Sequence, residues 1–246
     1  KMANAEEVLD LIDVPQNVHL AGLVLNQRGA EREIATRLHE VRFVVVASET
    51  FSQRNQGAGI EETLKVVERM TAQVHQAGKQ ATGIIAASFG CPFEGEVPRA
   101  RVAEIAARLI GSGVDSLVFA DTIGVGVPAD VALLSKACGD LKSGFPFGFH
   151  FHNTRNTGYA NALTALQYGA SVLDSAVGGM GGCPFAPNAT GNIATEDLLY
   201  MLRRTGLSLD IDMEAMISIA QHLHDRAGDE VSGQLHKVDK FPAGSV

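Results

Sequence analysis

The 246-residue chain has no tryptophan, only three tyrosines and only three cysteines. A surface that stacks nucleotide bases needs aromatic faces, and 6% aromatic residues supply few. Long basic runs are also missing. With a formal net charge of −8, nucleic acid is not the expected partner. No apolar run approaches the roughly 20 residues of a membrane span, and no signal peptide is visible. Cys91, Cys138 and Cys183 form no CxxC pair, which argues against a zinc knuckle. An odd, low cysteine count suits a reducing compartment better than a secreted disulfide scaffold, so a cytoplasmic location is expected.

What is present is ordinary globular material, 46% hydrophobic and 20% charged. Short β-branched runs alternate with helical periods. The strand candidates are VHLAGLVL (18–25), VRFVVVAS (41–48), QATGIIAA (80–87), DSLVFAD (115–121), FPFGFHF (145–151) and ASVLDSAV (170–177). Between them EREIATRLHE and GIEETLKVVERMTAQVHQAG carry apolar residues three and four apart. The second of these ends at Gly78, as helices commonly do. PRARVAEIAARLIGSG starts at Pro98 and ends in glycine. PADVALLSKACGD and RNTGYANALTALQYGA follow the same grammar. One helix, ANAEEVLDLI, precedes the series, and two more follow near 194–206 and 213–227.

Such alternation means βα units and a parallel sheet. No linker or low-complexity segment interrupts it, so 1–246 reads as a single domain. A doubly wound sheet is one solution. A TIM barrel is favoured, because no GxGxxG follows an early strand and because polar residues gather at the C-terminal ends of strands, where barrel enzymes keep their sites. Six of the eight units of such a barrel are visible.

Those strand ends carry Glu49; Ser88 and Cys91; Asp121; His150 and His152; and then the stretch GGMGGCPFAPNATGN (178–192). His150 and His152 stand two apart in a strand, so both rings project to one face. They are either two satisfied core histidines or a pair sharing a divalent metal. His222 and His224 in QHLHD provide an internal control. On a helix, residues two apart point about 200° apart, so that pair is not expected to share a ligand. Asp121, before a glycine turn, is a turn or helix-cap residue or a site residue. Cys183 follows four glycines in five positions, which suits a loop that takes positive φ. It is a packed small side chain or a thiol in use. Cys138 reads as core, and Cys91 either lines the site or packs.

At this point DTIGVG, HFHNT, GCPFEG and ANALTALQYGASVLDSAVGGMGGCPFAPNATGNIATEDLLYML closely resemble the 3-hydroxy-3-methylglutaryl-CoA lyases, metal-dependent TIM-barrel enzymes of the aldolase and Claisen group. The resemblance covers essentially the whole chain and is densest from 80 to 206. It implies that His150, His152 and Asn192 bind a divalent metal, Mg²⁺ or Mn²⁺. It makes Cys183 the loop cysteine and gives Asp121 a catalytic role. It places Arg54 and Asn55, in ASETFSQRNQG, near the nucleotide end of CoA. It further implies an acyl-CoA substrate, a homo-oligomer (dimer or tetramer), and a mitochondrial matrix location if the source is eukaryotic. Two departures stand out: Asn153 and Arg155 occupy positions where the familiar lyases have an aspartate and a tyrosine, which bears on the acyl group.

The reaction so implied is carbon–carbon cleavage of a 3-hydroxyacyl-CoA to acetyl-CoA and a keto acid. Asp121 or His150 takes the hydroxyl proton, and Cys183 supplies or relays a proton to the enolate. The family opens with a strand bearing an arginine–aspartate pair, the aspartate being a metal ligand, and a second strand bearing a glutamate. This chain starts after both. The expectation is therefore a longer polypeptide and an incomplete site, with the three ligands present and the carboxylate absent. The alternatives are an acyltransferase running the condensation, as isopropylmalate synthase does, and an inactive fragment or non-catalytic homologue.

Overall fold

The computed structural model describes residues 4–182, 191–207, 209–239 and 241. Each of the six strand candidates forms a strand: β1 (Ala21–Val24), β2 (Glu40–Val46), β3 (Gln80–Ala86), β4 (Ser116–Asp121), β5 (Phe147–Phe151) and β6 (Val172–Asp174). They pair in parallel in chain order, β1 through β6. The helices are α1 (Ala5–Leu11), α2 (Gln27–Ile34), α3 (Glu49–Gln56), α4 (Ile60–Gln76), α5 (Arg99–Gly111), α6 (Pro128–Leu141), α7 (Gly158–Gln167), α8 (Thr195–Arg204) and α9 (Met213–Ala227).

The sheet is curled. Strands β2 and β6 stand four places apart, about 19 Å in a flat sheet at roughly 4.8 Å per strand. Yet the Arg42 guanidinium on β2 lies 3.0 Å from the Asp174 carboxylate on β6. Only a barrel-like wall brings them together. Among the described residues the wall is open, with β1 and β6 as its edges. The incomplete barrel expected from the sequence is what the chain forms.

Alternation on β5 sorts its residues between two environments. His150 pairs in register with Asp174 and shares its concave face. Phe147, Phe149 and Phe151 take the convex face and bury themselves with Phe89 and Phe119 beneath the helices. Burying a phenylalanine side chain contributes roughly 1.5–3 kcal/mol, so this aromatic row fixes the strand and which way its histidines face. Gly148 lies on the concave face, where a Cβ would meet the Val172 carbonyl oxygen at 2.4 Å. Gly148→Ala is therefore expected to push β6 away and cost about 1–3 kcal/mol, read as a lowered urea midpoint with an unchanged slope.

Two helices differ from the sequence reading. The period placed one at 31–40, whereas α2 runs from 27 to 34, because Asn26 Oδ1 caps it by accepting from Gly29 N. Helix α3 has no apolar period at all: Phe51 and Ser52 are its buried residues. Its ends define it instead. Ser48 Oγ accepts from Phe51 N, and Gly57 stops it at φ +69°.

Candidate active site

The strand ends meet at one mouth. His150 is the penultimate residue of β5, and His152 lies just past the strand's end; their ring centroids are 5.2 Å apart. His152 is buried at 5% exposure. The chain returns here from the glycine-rich stretch, and residues 191–193 run antiparallel beside 151–153. Asn153 N donates to Gly191 O, and Ile193 N donates to Phe151 O. His152 and Asn192 thus face each other across a β-bridge. Fully buried Ile193 anchors this return.

Asn192 Nδ2 donates to Met180 O at 2.8 Å, which leaves Oδ1 as the free acceptor. That oxygen is buried without a hydrogen-bond partner among the described residues. A buried, unpaired acceptor costs about 1–3 kcal/mol unless something satisfies it. Two imidazoles and one amide oxygen form a donor set of the kind a divalent metal accepts. The residues present therefore fit the ion that the resemblance implies. Among the described residues, no group of three or more His, Cys, Asp or Glu side chains gathers to hold a metal. The fit rests on two histidines and an amide.

Behind His150 lies a charged relay not singled out in the sequence. Asp174 Oδ2 is 3.7 Å from His150 Nδ1, and Arg42 reaches both Asp174 oxygens, at 3.0 and 3.2 Å. Arg42 Nε also donates to Glu40 Oε1 at 2.8 Å, and Glu40 Oε2 meets His19 Nε2 at 3.0 Å. Burial would raise the Asp174 carboxyl, but the His150 and Arg42 contacts outweigh it and hold the group below its usual range.

Asp121 is 1% exposed, and its oxygens accept from Val125 N and Gly126 N, both at 2.9 Å. In this conformation it organises the 121–126 turn. Burial pushes its carboxyl up, against the pull of those amides. Arg155 closes the same turn by donating to the carbonyls of Ile123 and Gly124. Asn153 Oδ1 accepts from Gly158 N at the start of α7. Both departures from the familiar motif thus build loops in this fold.

The other strand-end residues divide in the same way. Glu49 Oε2 accepts from Ile60 N and so caps α4. Ser88 Oγ donates back to Ile85 O. Cys91 is buried, with Sγ 2.9 Å from Ser48 Oγ and facing the amides of Phe93 and Glu94, so it packs and braces its loop. Cys138 sits in the core on α6, where burial pushes its thiol up to about 11. Arg54, exposed on α3, stacks on the Phe93 ring at 4.2 Å, and Asn55 is the next residue on that helix. Cys183 lies outside the described residues. His222 and His224 are on α9, and His224 packs against His236, with ring centroids 5.1 Å apart. Fully buried Glu196, at the start of α8, was also not anticipated: its Oε2 accepts from Gly178 N at the root of the glycine stretch, and burial raises its carboxyl.

No helix among the described residues is long and apolar enough to cross a membrane. Comparison with known proteins gives a consistent picture. The HMGL-like family matches residues 2–223. The chain is 35% identical to hydroxymethylglutaryl-CoA lyase YngG of Bacillus subtilis, over 97% of this chain and 80% of that protein. It is 41% identical to (R)-citramalyl-CoA lyase of Chloroflexus aurantiacus, over 88% of this chain and 68% of that one. Among solved structures, an HMG-CoA lyase from Acenitobacter baumannii, in complex with coenzyme A and 3-methylmalate, superposes with a TM-score of 0.92 at 33% identity. It covers 98% of this chain and 79% of that chain. With its parallel half-barrel and the paired histidines at its mouth, the chain belongs to the HMGL-like family and is a carbon–carbon lyase.

Proposed function

We propose that this lyase is metal-dependent and cleaves 3-hydroxy-3-methylglutaryl-CoA, or a related 3-hydroxyacyl-CoA, between C2 and C3, giving acetyl-CoA and a keto acid. The observation that carries the metal is the Asn192 Oδ1 atom, buried and unsatisfied among the described residues, on the residue that faces His152 across the β-bridge, with the His150 ring 5.2 Å from that of His152. His150, His152 and Asn192 would hold Mg²⁺ or Mn²⁺. When bound, such an ion lowers the pKa of a chelated hydroxyl and orients the bond that breaks.

The chain's own groups supply the rest. The C3 hydroxyl loses its proton as the C2–C3 bond breaks. Its oxygen becomes the keto oxygen of one product, and the electron pair passes to C2 as the enolate of acetyl-CoA. That enolate then takes a proton at C2. We assign acceptance of the hydroxyl proton to Asp121, because His150 has no lone pair left once it holds the ion through one nitrogen and turns its other N–H to Asp174. Asp121 shapes the neighbouring turn, and a role for it at the hydroxyl requires that turn to open. Cys183 is assigned the proton delivered to C2. Arg54 and Asn55 are assigned to the nucleotide end of CoA, the guanidinium already exposed on α3. A homo-oligomer is the expected assembly.

The relatives' names supply two acyl groups, hydroxymethylglutaryl and citramalyl, and both belong in the test. Each thioester is incubated with the protein plus Mn²⁺ or Mg²⁺, and again after EDTA treatment. The expected result is acetyl-CoA from at least one thioester, abolished by EDTA and restored by metal. Full turnover after EDTA, or no acetyl-CoA from either, would defeat the proposal. Release of free thiol from acetyl-CoA and a 2-oxoacid would move the chain to the acyltransferases.

A further inference from the structure

The relay behind His150 crosses the open barrel and joins residues 132 positions apart in sequence. Arg42 sits at an inward position of β2, in a run that is otherwise apolar from Val41 to Val46. A charged side chain is rare at such a place unless it is paired. It is paired twice, by Nε to Glu40 and by one terminal nitrogen to both oxygens of Asp174. Arginine only donates. It therefore fixes the plane of the Asp174 carboxylate, and the Oδ2 atom of that carboxylate stands 3.7 Å from His150 Nδ1. A carboxylate only accepts. The nitrogen that faces it is best served by carrying the hydrogen, which leaves the lone pair on Nε2.

We infer that Arg42 is a positioning residue: through Asp174 it holds His150 with its hydrogen on Nδ1 and its lone pair on Nε2. The inference rests on the reading of His150 as a metal ligand only for its use, since a histidine ligates through an unprotonated nitrogen and its other N–H is oriented by a neighbouring acceptor. The tautomer itself is a property of the metal-free protein.

The isosteric variant Asp174→Asn makes a sharp test. Arg42 can only donate, so the amide oxygen must turn to it, and the amide NH₂ then faces His150. His150 Nδ1 becomes an acceptor and its hydrogen moves to Nε2. Long-range ¹H–¹⁵N spectra of ¹⁵N-histidine-labelled, metal-free protein read this directly, at a pH of about 8 where an ordinary imidazole is neutral. The expected result is an Nδ1–H signature for His150 in the wild type and an Nε2–H signature in Asp174→Asn. In Arg42→Met/Asp174→Asn the amide is free to turn, and a mixture is expected. Mn²⁺ affinity, titrated in parallel, should fall about 10–100-fold in Asp174→Asn, and Arg42→Lys should retain more of it than Arg42→Met.

His150 keeping its Nδ1 hydrogen in Asp174→Asn, or flipping equally in the double variant, would overturn the role of Arg42. Wild-type protein that takes up no Mn²⁺ would instead defeat the metal reading, while the tautomer spectra still decide the inference. If the double variant does not fold, Arg42→Lys/Asp174→Asn asks the same question with a charge retained. There the ammonium likewise only donates, so an Nε2–H signature is again expected, and a retained Nδ1–H signature would overturn the inference.

Discussion

His152→Ala is expected to lose divalent-metal binding, by more than the roughly 10–100-fold that loss of a mere supporting partner costs. The residue is buried, its backbone faces Asn192 across a β-bridge, and its ring centroid is 5.2 Å from that of His150. Removing it leaves one imidazole and one amide oxygen, too few protein donors to hold Mg²⁺ or Mn²⁺ against water. Turnover of the preferred thioester should fall with the metal and should not recover at moderate metal excess. If the two rings were only core packing, the outcome would differ. The variant would then lose about 1–3 kcal/mol of stability from a buried group removed, and metal titration would be the same for wild type and variant. His222→Ala is the matched control. That ring is exposed on α9, and neither metal binding nor stability should change measurably. Titration of Mn²⁺ by its electron paramagnetic resonance signal, with urea unfolding alongside, separates the two outcomes.

The pairing behind this prediction was readable in the chain for a simple reason. In FGFHF a period of two puts Phe147, Phe149 and Phe151 on one side and His150 on the other, and no helix can do that. The same rule excluded His222 and His224, which the structure places on a helix. Strand identity survived because each β run was apolar enough to declare itself. Helix α3 did not, since its eight residues have no apolar stripe and its existence depends on the Ser48 cap and the Gly57 stop. The role of Asp121 was ambiguous in the sequence for a related reason. Aspartate before a glycine turn serves the backbone as readily as a substrate, and here both oxygens are engaged by amides.

Asp174 and Arg42 were missed although each left a trace. Both are charged residues inside β-branched runs, SVLD and VRFVVV, at positions the alternation directs inward. A charge in such a place signals a partner across the barrel, but sequence alone does not say which one. The pairing is fixed by curvature and strand stagger, which no local pattern encodes. Arg42 and Asp174 meet only because four strand spacings bend into an arc.

Cys183→Ala is expected to reduce turnover about 10²–10⁴-fold, the usual cost of removing one positioned acid–base group, while changing stability by no more than about 0.5 kcal/mol. The cysteine itself lies outside the described residues, so the argument runs through the flanks of its segment. On one side Gly178, Gly179 and Gly181 take positive φ, at 70°, 68° and 99°. On the other, a Cβ at Gly191 would come within 1.8 Å of the Gly179 carbonyl oxygen, so the two flanks touch. Met180 O accepts from Asn192 Nδ2, which ties this root to the candidate metal ligand. Glu196 and the backbone of Gly233 grip Gly178 from below, through Gly178 N–H and Gly178 O respectively. Such close approaches tolerate only glycine, and they fix where the segment bearing Cys183 departs and returns: beside Asn192. The role proposed for the Cys183 thiol is to give its proton to C2 of the departing enolate and to regain it from water. In deuterated buffer, wild-type enzyme should therefore place one deuterium in the acetyl methyl group at the speed of turnover, and the alanine variant should show a slow, solvent-limited return of that proton. Equal turnover in wild type and variant, on whichever thioester the protein prefers, would remove Cys183 from the chemistry and leave it a packing residue.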